Sequence, residues 1–298
     1  MNILHYFLGF PPYRSGGLTK YACDLMTAQA EMGYTVAALW PGEMKLLSKA
    51  VQIRRRGQVS GVTSFELINP LPVALDEGVA DPLAYMTPCR KDAYEAFLKK
   101  LKPDAIHIHT LMGLHREFVD TARQLGIRTV FTTHDYYGIC PKVTLFRGGS
   151  VCQNDNGCKD CVACNMHGLS MKKITIMQSP LYRCLKNTPV VTYLRKRHRG
   201  NFFAEETLPE VPEGTDVALL AAGYQQLRQY YMDMLSKVDL IHFNSTLSEQ
   251  VYRRFVTPKD GRVVSITHRG IADHRDTPHR EDPRLRITCL APAKPFKG

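Results

Sequence analysis

The sequence predicts an α/β protein with a Rossmann-like, doubly wound parallel sheet and helices on both faces. Short apolar runs that read as strands alternate with segments whose apolar residues recur at helical spacing. Glycines such as Gly33 and Gly126 follow the helical segments, where they favour a helix end. This alternation is typical of β-α-β units, whose right-handed crossovers place helices on both sides of one sheet.

The predicted elements follow one another in a regular order. The apolar runs predict strands at residues 2–8, 35–40, 63–68, 104–110, 128–135, 240–245, 262–270 and 285–292. The helical spacing predicts helices at residues 18–32, 92–103, 115–126, 171–185, 224–239 and 245–255. Residues 168–216 show no clear strand pattern, and the basic block at 54–57 is interpreted as a solvated helix or loop face.

Length and composition indicate an ordinary globular protein. The 298 residues are 44% hydrophobic, which is enough to build a full core. No run approaches the ~20 apolar residues of a membrane span, and the N-terminus lacks the basic segment of a secretory signal. We therefore expect a cytoplasmic location, with peripheral contact at the inner face of the membrane.

The formal net charge of +11 predicts an anionic partner. Basic residues run in blocks at 54–57 and 195–200. Nucleic acid, an anionic membrane surface and phosphorylated small molecules would all be attracted by such a charge. The charge alone does not choose among them.

Gly16 and Gly17 lie between the first predicted strand and the first predicted helix. Backbone amides at a helix start can bind a phosphate, and glycine lets the phosphate approach closely. The pair lacks the three-glycine dinucleotide fingerprint, so a purely structural turn is the alternative.

Histidines mark the ends of two predicted strands. His109 and His134 stand at carboxyl ends, where open α/β sheets build their sites, whereas His107 lies inside its strand and is interpreted as a core residue. A histidine at such an edge can donate a hydrogen bond or exchange a proton near neutral pH. Asp135 could orient His134, cap the following helix or do neither.

Five of the nine cysteines follow the strand that ends at His134. They are Cys140, Cys152, Cys158, Cys161 and Cys164, with Cys184 further along. Two overlapping C-x-x-C steps suit a structural zinc held by four of the five thiolates, with Cys184 as a substitute. An iron–sulfur cluster, a redox dithiol and reduced free thiols are the alternatives. A metal would order a loop that has few apolar residues.

Several of these landmarks together resemble a known family. The segments "SGGLTKYACDLMTAQAEMGYTVAAL", "PDAIHIHT", "GIRTVFTTHDYYGICPK", "VDLIHFNSTLSEQV", "VVSITHRGIAD" and "LRITCLAPAKPFKG" follow, in order, the landmarks of the retaining family 4 glycosyltransferases of GT-B fold. The chain looks most like the branch with a cysteine cluster after the "HDY" motif, typically in bacterial polysaccharide assembly.

The resemblance implies a domain organisation and an activity. Residues 1–272 would be the acceptor-side N-terminal domain, with a cysteine-rich insertion at about 140–186. Residues 273–284 would be a linker, and 285–298 the first strand of a nucleotide-sugar domain that is otherwise missing. The family transfers a sugar from a nucleotide-diphosphate donor to a hydroxyl of a sugar, lipid-linked or other acceptor. We expect the isolated chain to be inactive because half of the cleft is absent.

The resemblance also assigns residues. Gly16 and Gly17 match the loop that approaches the donor phosphate, His134 the histidine near the transferred sugar, and His109, with Asp135, the acceptor side. No metal is expected in catalysis. The rival functions are a truncated, inactive paralogue that only binds partners, and a zinc-dependent nucleic-acid-binding protein. The cysteine loop lacks interleaved aromatic residues, so we expect no nucleic-acid partner.

Overall fold

The computed structural model describes residues 1–45, 47–74, 78–194, 197, 210–267 and 269–270. The predicted linker at 273–284 and the predicted strand at 285–292 lie outside the described residues. The same holds for the basic block at 195–200, apart from Arg197.

A central sheet of eight strands organises the described chain, with strand order β10-β9-β6-β5-β1-β2-β4-β3. A separate two-stranded hairpin pairs β7 with β8. The strands are β1 (Asn2–Tyr6), β2 (Thr35–Pro41), β3 (Gln52–Val59), β4 (Val62–Ile68), β5 (Ala105–Ile108), β6 (Arg128–Thr133), β7 (Phe146–Arg147), β8 (Ser150–Val151), β9 (Leu240–Phe243) and β10 (Gly261–Val263). Every pair in the large sheet is parallel except β3 with β4.

Helices connect the strands in β-α-β fashion. They are α1 (Gly17–Glu31), α2 (Asp92–Leu101), α3 (Arg116–Gln124), α4 (Lys159–Cys164), α5 (Met171–Met177), α6 (Pro180–Leu185), α7 (Val217–Lys237) and α8 (Thr246–Tyr252). Residues 189–194 are also helical. None of these helices combines the length and hydrophobicity that a membrane-spanning segment requires.

The two faces of the sheet bury two separate apolar clusters. Alternation along β2 divides them, because Val36 and Ala38 pack in the cluster that contains α1, whereas Leu39 packs in the cluster that contains α2, α3 and α7. Side chains of a strand point alternately to opposite faces, so helices cover both sides of the sheet. The predicted doubly wound α/β fold is therefore confirmed.

The prediction of a helix or loop for residues 54–57 is wrong, although residues 55–57 are exposed to solvent as expected. These residues belong to β3, an antiparallel strand at the edge of the sheet. Arg54 forms an ion pair with Glu43, and Arg56 forms one with the buried Glu66 of β4. Paired arginines allow a basic run to form an edge strand, where charges also discourage pairing with other chains.

Several element boundaries also differ from those predicted. Helix α4 lies inside the predicted cysteine loop, and α7 begins at Val217, seven residues before the predicted start, with the Asp216 carboxylate accepting the Leu219 N–H at its N-terminus. Strand β10 ends at Val263 rather than at residue 270. Helix caps and short exposed strands depend on local contacts that periodicity does not show.

Candidate functional site

The carboxyl ends of β1, β5 and β6 bring together the histidines and the glycine loop that the sequence singled out. These strands are adjacent and parallel, so residues following them lie at one edge of the sheet. His109 follows β5 and His134 follows β6. The ring of Tyr21, in the first turns of α1, lies 5.8 Å from that of His109 and 5.1 Å from that of His134, measured between centroids. The start of α1 therefore faces both histidines.

The glycine pair forms an open start to α1. Gly16 has a φ of 122°, which favours glycine, and it caps the helix without any side-chain hydrogen bond. A Cβ atom added to Gly17 would meet no heavy atom within 4 Å. The first turn also has no acidic residue that would repel an anion. This helix start therefore leaves its amide donors accessible to a negatively charged group.

One chain of hydrogen bonds runs from α1 to His134. The Nε2 atom of His5 lies 2.7 Å from Gln29 Oε1, and its Nδ1 atom lies 3.0 Å from His109 Nε2. His109 Nδ1 in turn lies 3.3 Å from His134 Nε2. His5 and His109 are buried, whereas His134 is partly exposed. The chain thus joins a buried interior to the sheet edge.

A second chain runs beside the first and ends on a backbone carbonyl. His107 Nε2 lies 2.7 Å from Thr132 Oγ1, which lies 2.9 Å from His242 Nδ1. His242 Nε2 donates to the Val264 carbonyl oxygen over 2.6 Å. Because that oxygen can only accept, His242 Nε2 carries the proton of this last hydrogen bond. The His107 ring stacks on that of His109, with centroids 4.1 Å apart, and so connects the chains.

Burial keeps four of these imidazoles, those of His5, His107, His109 and His134, neutral. It lowers the pKa of His5 and of His134 to about 4, the latter with a smaller contribution from His242. The pKa values of His107 and His109 also lie well below the ordinary value, first because of burial and then because of neighbouring histidines. At neutral pH the row therefore consists of hydrogen-bonding groups rather than cations.

Asp135 stabilises the turn that leaves β6. Its Oδ1 atom accepts the backbone N–H of Tyr137 at 2.9 Å, and its carbonyl oxygen accepts the Tyr252 hydroxyl at 2.6 Å. Burial raises the pKa of Asp135 to about 6. In the described part of the chain no hydrogen bond joins it to His134, and residues 136–139 form a turn rather than the expected helix, so Asp135 closes a turn.

The five clustered cysteines gather beside α7. Ligand atoms of Cys158, Cys161 and Asp155 all lie within 4.8 Å of one another. Cys140, Cys152 and Cys161 line a cavity of about 310 Å³, and Arg228 also lines it. Donor atoms about 2.3 Å from a tetrahedral zinc lie roughly 3.8 Å apart, so thiolates at this spacing fit such an ion.

Hydrogen bonding and burial shift the pKa values of the clustered thiols in opposite directions. The Cys161 thiol lowers the pKa of Cys158 by a hydrogen bond, and Arg228 Nη1 donates to Cys158 Sγ over 3.2 Å. Burial raises the pKa of Cys140 to about 11 and raises that of Cys164. Cys184 is exposed on α6, and no described contact joins it to the cluster, which disfavours it as a substitute ligand.

Sequence reasoning missed His5 and two residues that contact the histidines. His5 lies in the middle of an apolar strand, and Gln29 and Tyr21 lie in what reads as an ordinary amphipathic helix. The register of β1 and β5, which the sequence does not give, pairs His5 with His107. The interpretation of His107 as a hydrogen-bonded interior residue agrees with its contact to Thr132.

Known structures of low sequence identity resemble the chain. A sucrose-phosphate synthase from Thermosynechococcus elongatus aligns with 89% of this chain and 47% of its own, at 11% identity and a TM-score of 0.38. An alpha,alpha-trehalose-phosphate synthase (UDP-forming) from Burkholderia xenovorans, in complex with glucose-6-phosphate, aligns with 84% of this chain and 42% of its own. Its sequence identity is 12% and its TM-score is 0.36. The catalytic domain of starch synthase IV from Arabidopsis thaliana aligns with 89% of this chain and 74% of its own, at 12% identity and a TM-score of 0.26. The chain spans less than half the length of the first two proteins.

Sequence comparison finds a family model that resembles part of the chain. No curated protein sequence matches the chain significantly. The model of Glycosyltransferase Family 4 matches residues 15–149, a little under half of the chain. The matched segment begins beside Gly16 and contains His109 and His134. The expected resemblance is confirmed over residues 15–149, which match the model of Glycosyltransferase Family 4.

Proposed function

We propose that the protein carrying this chain transfers a sugar from a nucleotide-diphosphate donor to an acceptor hydroxyl, with retention of configuration. One observation carries the proposal. Within a family 4 segment, the partly exposed His134 and the uncapped start of α1 meet at the carboxyl edge of a parallel sheet. Ligands of open α/β sheets bind at this edge. Retention of configuration rests on the family resemblance.

The start of α1 supports a role in binding donor phosphate. Its amides carry the positive end of the helix dipole, and Gly17 leaves the space above them open. A side chain there would stand between the amides and a diphosphate. Gly16 and Gly17 therefore contact the donor in the proposed complex.

His134 supports a role beside the transferred sugar. It is neutral at physiological pH because burial holds its pKa near 4, so it acts through a hydrogen bond rather than through charge. The Tyr21 ring packs 5.1 Å from it and limits its rotation. A fixed hydrogen-bonding group stabilises developing charge without reorganisation, which is the proposed contribution of His134 to the transition state. His109, on the side of the proposed sugar acceptor, contacts His134 through a ring nitrogen.

An apolar and basic surface beside this edge favours a membrane-bound acceptor. Residues 161–204 contain no aspartate or glutamate but eight lysines and arginines. In the described part of this stretch, six large apolar side chains are exposed: Ile176, Leu181, Leu185, Val190, Tyr193 and Leu194. Exposed apolar groups beside cations fit an anionic lipid surface.

Two contacts support a position of that surface beside the proposed cleft. Lys186 Nζ lies 4.3 Å from the centre of the Tyr13 ring, in the loop that leads to Gly16. The Met44 N–H, which follows β2, donates to the Gln178 carbonyl oxygen over 3.1 Å. A lipid-linked acceptor of bacterial polysaccharide or glycolipid assembly would therefore reach the cleft from the membrane plane.

The cysteine cluster is proposed to hold one structural zinc. Four of Cys140, Cys152, Cys158, Cys161 and Cys164 would supply thiolates. The short distances around Cys158 and Cys161 support this proposal. Such an ion would fasten residues 140–164 against α7, in which Arg228 also pairs with Asp155. No step of sugar transfer involves it.

We predict that His134→Ala lowers kcat by about 100-fold or more with little change in donor KM, because the lost hydrogen bond acts in the transition state. Initial rates with a panel of nucleotide sugars would be measured on the full-length protein that the natural gene encodes. His167→Ala, at an exposed position, is the matched control. Unchanged kcat with a lower melting temperature would make His134 a purely structural residue. Donor binding without any turnover by the wild type would favour the binding-only paralogue.

We predict that the chain floats with vesicles containing anionic phospholipid and does not float with neutral vesicles. Leu181→Ser should reduce the bound fraction, because it removes apolar surface from the membrane-facing segment. The matched control is Leu219→Ser, since both leucines are 70% exposed. Equal binding to both vesicle types, or equal loss in both variants, would contradict the assignment of this surface.

We predict about one zinc per chain after anaerobic purification. Cys161→Ser should lose the metal, because Cys161 is close to Cys158 and also lines the cavity. Cys184→Ser should keep it, since Cys184 is exposed on α6. Metal analysis by mass spectrometry gives the count. A metal-free folded chain whose cysteines all react freely with a thiol reagent would refute the zinc site.

A further inference from the structure

The interior members of the first hydrogen-bond chain have no role in the function proposed above. Gln29 and His5 lie behind His109, away from the sheet edge, and neither belongs to the glycine loop. His5 is fully buried in β1. A buried polar side chain needs hydrogen-bond partners, but an apolar residue would fill the same position at lower cost. Their presence suggests that the protein uses the direction of these hydrogen bonds.

The His5 and His109 rings meet end to end. Their planes differ by 12°, and their centroids are 5.3 Å apart while the nearest nitrogens are 3.0 Å apart. A nitrogen separation so much shorter than the centroid separation places the nitrogens between the two ring centres. The lone pair of one ring therefore points at the N–H of the other.

This arrangement favours a hydrogen bond over a shared metal ion. One nitrogen from each of His5, His107 and His109 lies within 4.8 Å of the others, as ligands of a cation would. A metal would require the lone pairs to converge on one point outside the rings. The lone pair of His5 Nδ1 is instead directed at His109 Nε2, and His107 lies across the face of His109 with planes 26° apart.

The terminal amide sets the direction of the whole chain. A neutral imidazole carries one N–H, so each ring that donates at one nitrogen must accept at the other. The Gln29 oxygen accepts from His5 Nε2, and His5 Nδ1 must then accept from His109 Nε2. His109 Nδ1 consequently accepts from His134 Nε2. The proton of His134 is thereby fixed on Nε2, and its lone pair on Nδ1.

We propose that Gln29 and His5 are positioning residues that fix His134 in the Nε2–H tautomer. The consequence for catalysis rests on the proposed function: with its proton committed to His109, His134 offers only the Nδ1 lone pair. No described hydrogen bond uses that atom. A lone pair accepts from a hydroxyl and not from a phosphate oxygen, so His134 recognises a sugar hydroxyl.

The second chain of hydrogen bonds, which contains His107, stabilises this arrangement. His107 is fixed by Thr132 and, through His242, by the Val264 carbonyl oxygen. Its ring then covers one face of His109. Rotation of the His109 ring would break both of its hydrogen bonds and displace the stacked ring.

Nitrogen-15 NMR of the histidine side chains in the 298-residue chain tests the proposal without any activity measurement. Couplings from ring protons show which nitrogen carries the hydrogen. In the wild type at pH 7.5, His134 should show a protonated Nε2 and an unprotonated Nδ1. The opposite tautomer, an equal mixture of both or a charged ring in the wild type would overturn the proposal.

Variants of Gln29 separate positioning from packing. Gln29→Leu removes the terminal acceptor at similar size, and the two nitrogen resonances of His134 should move towards each other as the tautomers mix. Gln29→Glu keeps an acceptor and should retain the wild-type tautomer. Gln124→Leu, at the exposed C-terminal end of α3, is the control and should leave His134 unchanged.

A purely structural role predicts a different result. In that case Gln29→Leu would lower the melting temperature without changing the tautomer of His134, and the proposal would fall. If the tautomers behave as expected but His134→Ala retains full kcat, the hydrogen-bond chain stands and the catalytic role of His134 fails. If Gln29→Leu does not fold, the wild-type spectrum alone still decides the tautomer.

Discussion

Burial of a row of imidazoles on one face of a parallel sheet is the constraint on which the site depends. A charged imidazole loses its hydration when it is buried, so the rings stay neutral and must satisfy one another. Each neutral ring has one donor and one acceptor, and the row can therefore be satisfied only head to tail. Gln29 closes one chain and the Val264 carbonyl closes the other. Loss of either terminal acceptor would change the hydrogen bonding of every ring in that hydrogen-bond chain.

This constraint links the fold to the proposed chemistry. Parallel pairing of β1, β5 and β6 brings His5, His107 and Thr132 onto the same face and carries His109 and His134 to the carboxyl edge. Side chains of α1 reach the same histidines, so one helix supplies both the terminal acceptor Gln29 and the open amides at its start. The interior of the sheet thus orients the group that faces the cleft.

Sequence patterns predicted the layers of this fold but not its exceptions. Periods of two and 3.6 give the strand–helix alternation and place His109 and His134 at strand ends. The edge strand β3 could not be predicted because its arginines are neutralised by Glu66 and Glu43, which are distant contacts. His5 looked like any core position, since periodicity reports burial and does not report which polar partner a buried side chain meets.

The protonation state of His134 in the intact chain tests this account most directly. A proton NMR titration of the histidine rings from pH 8 to pH 5 should leave the His134 and His5 signals unshifted, because burial holds both pKa values near 4. Unfolded histidines take up protons first, near pH 6.5, so the free energy of unfolding should fall as the pH drops from about 6.5 towards 4. A midpoint near 6.5 for His134 in the folded chain would contradict the account, since a charged ring cannot accept from a sugar hydroxyl.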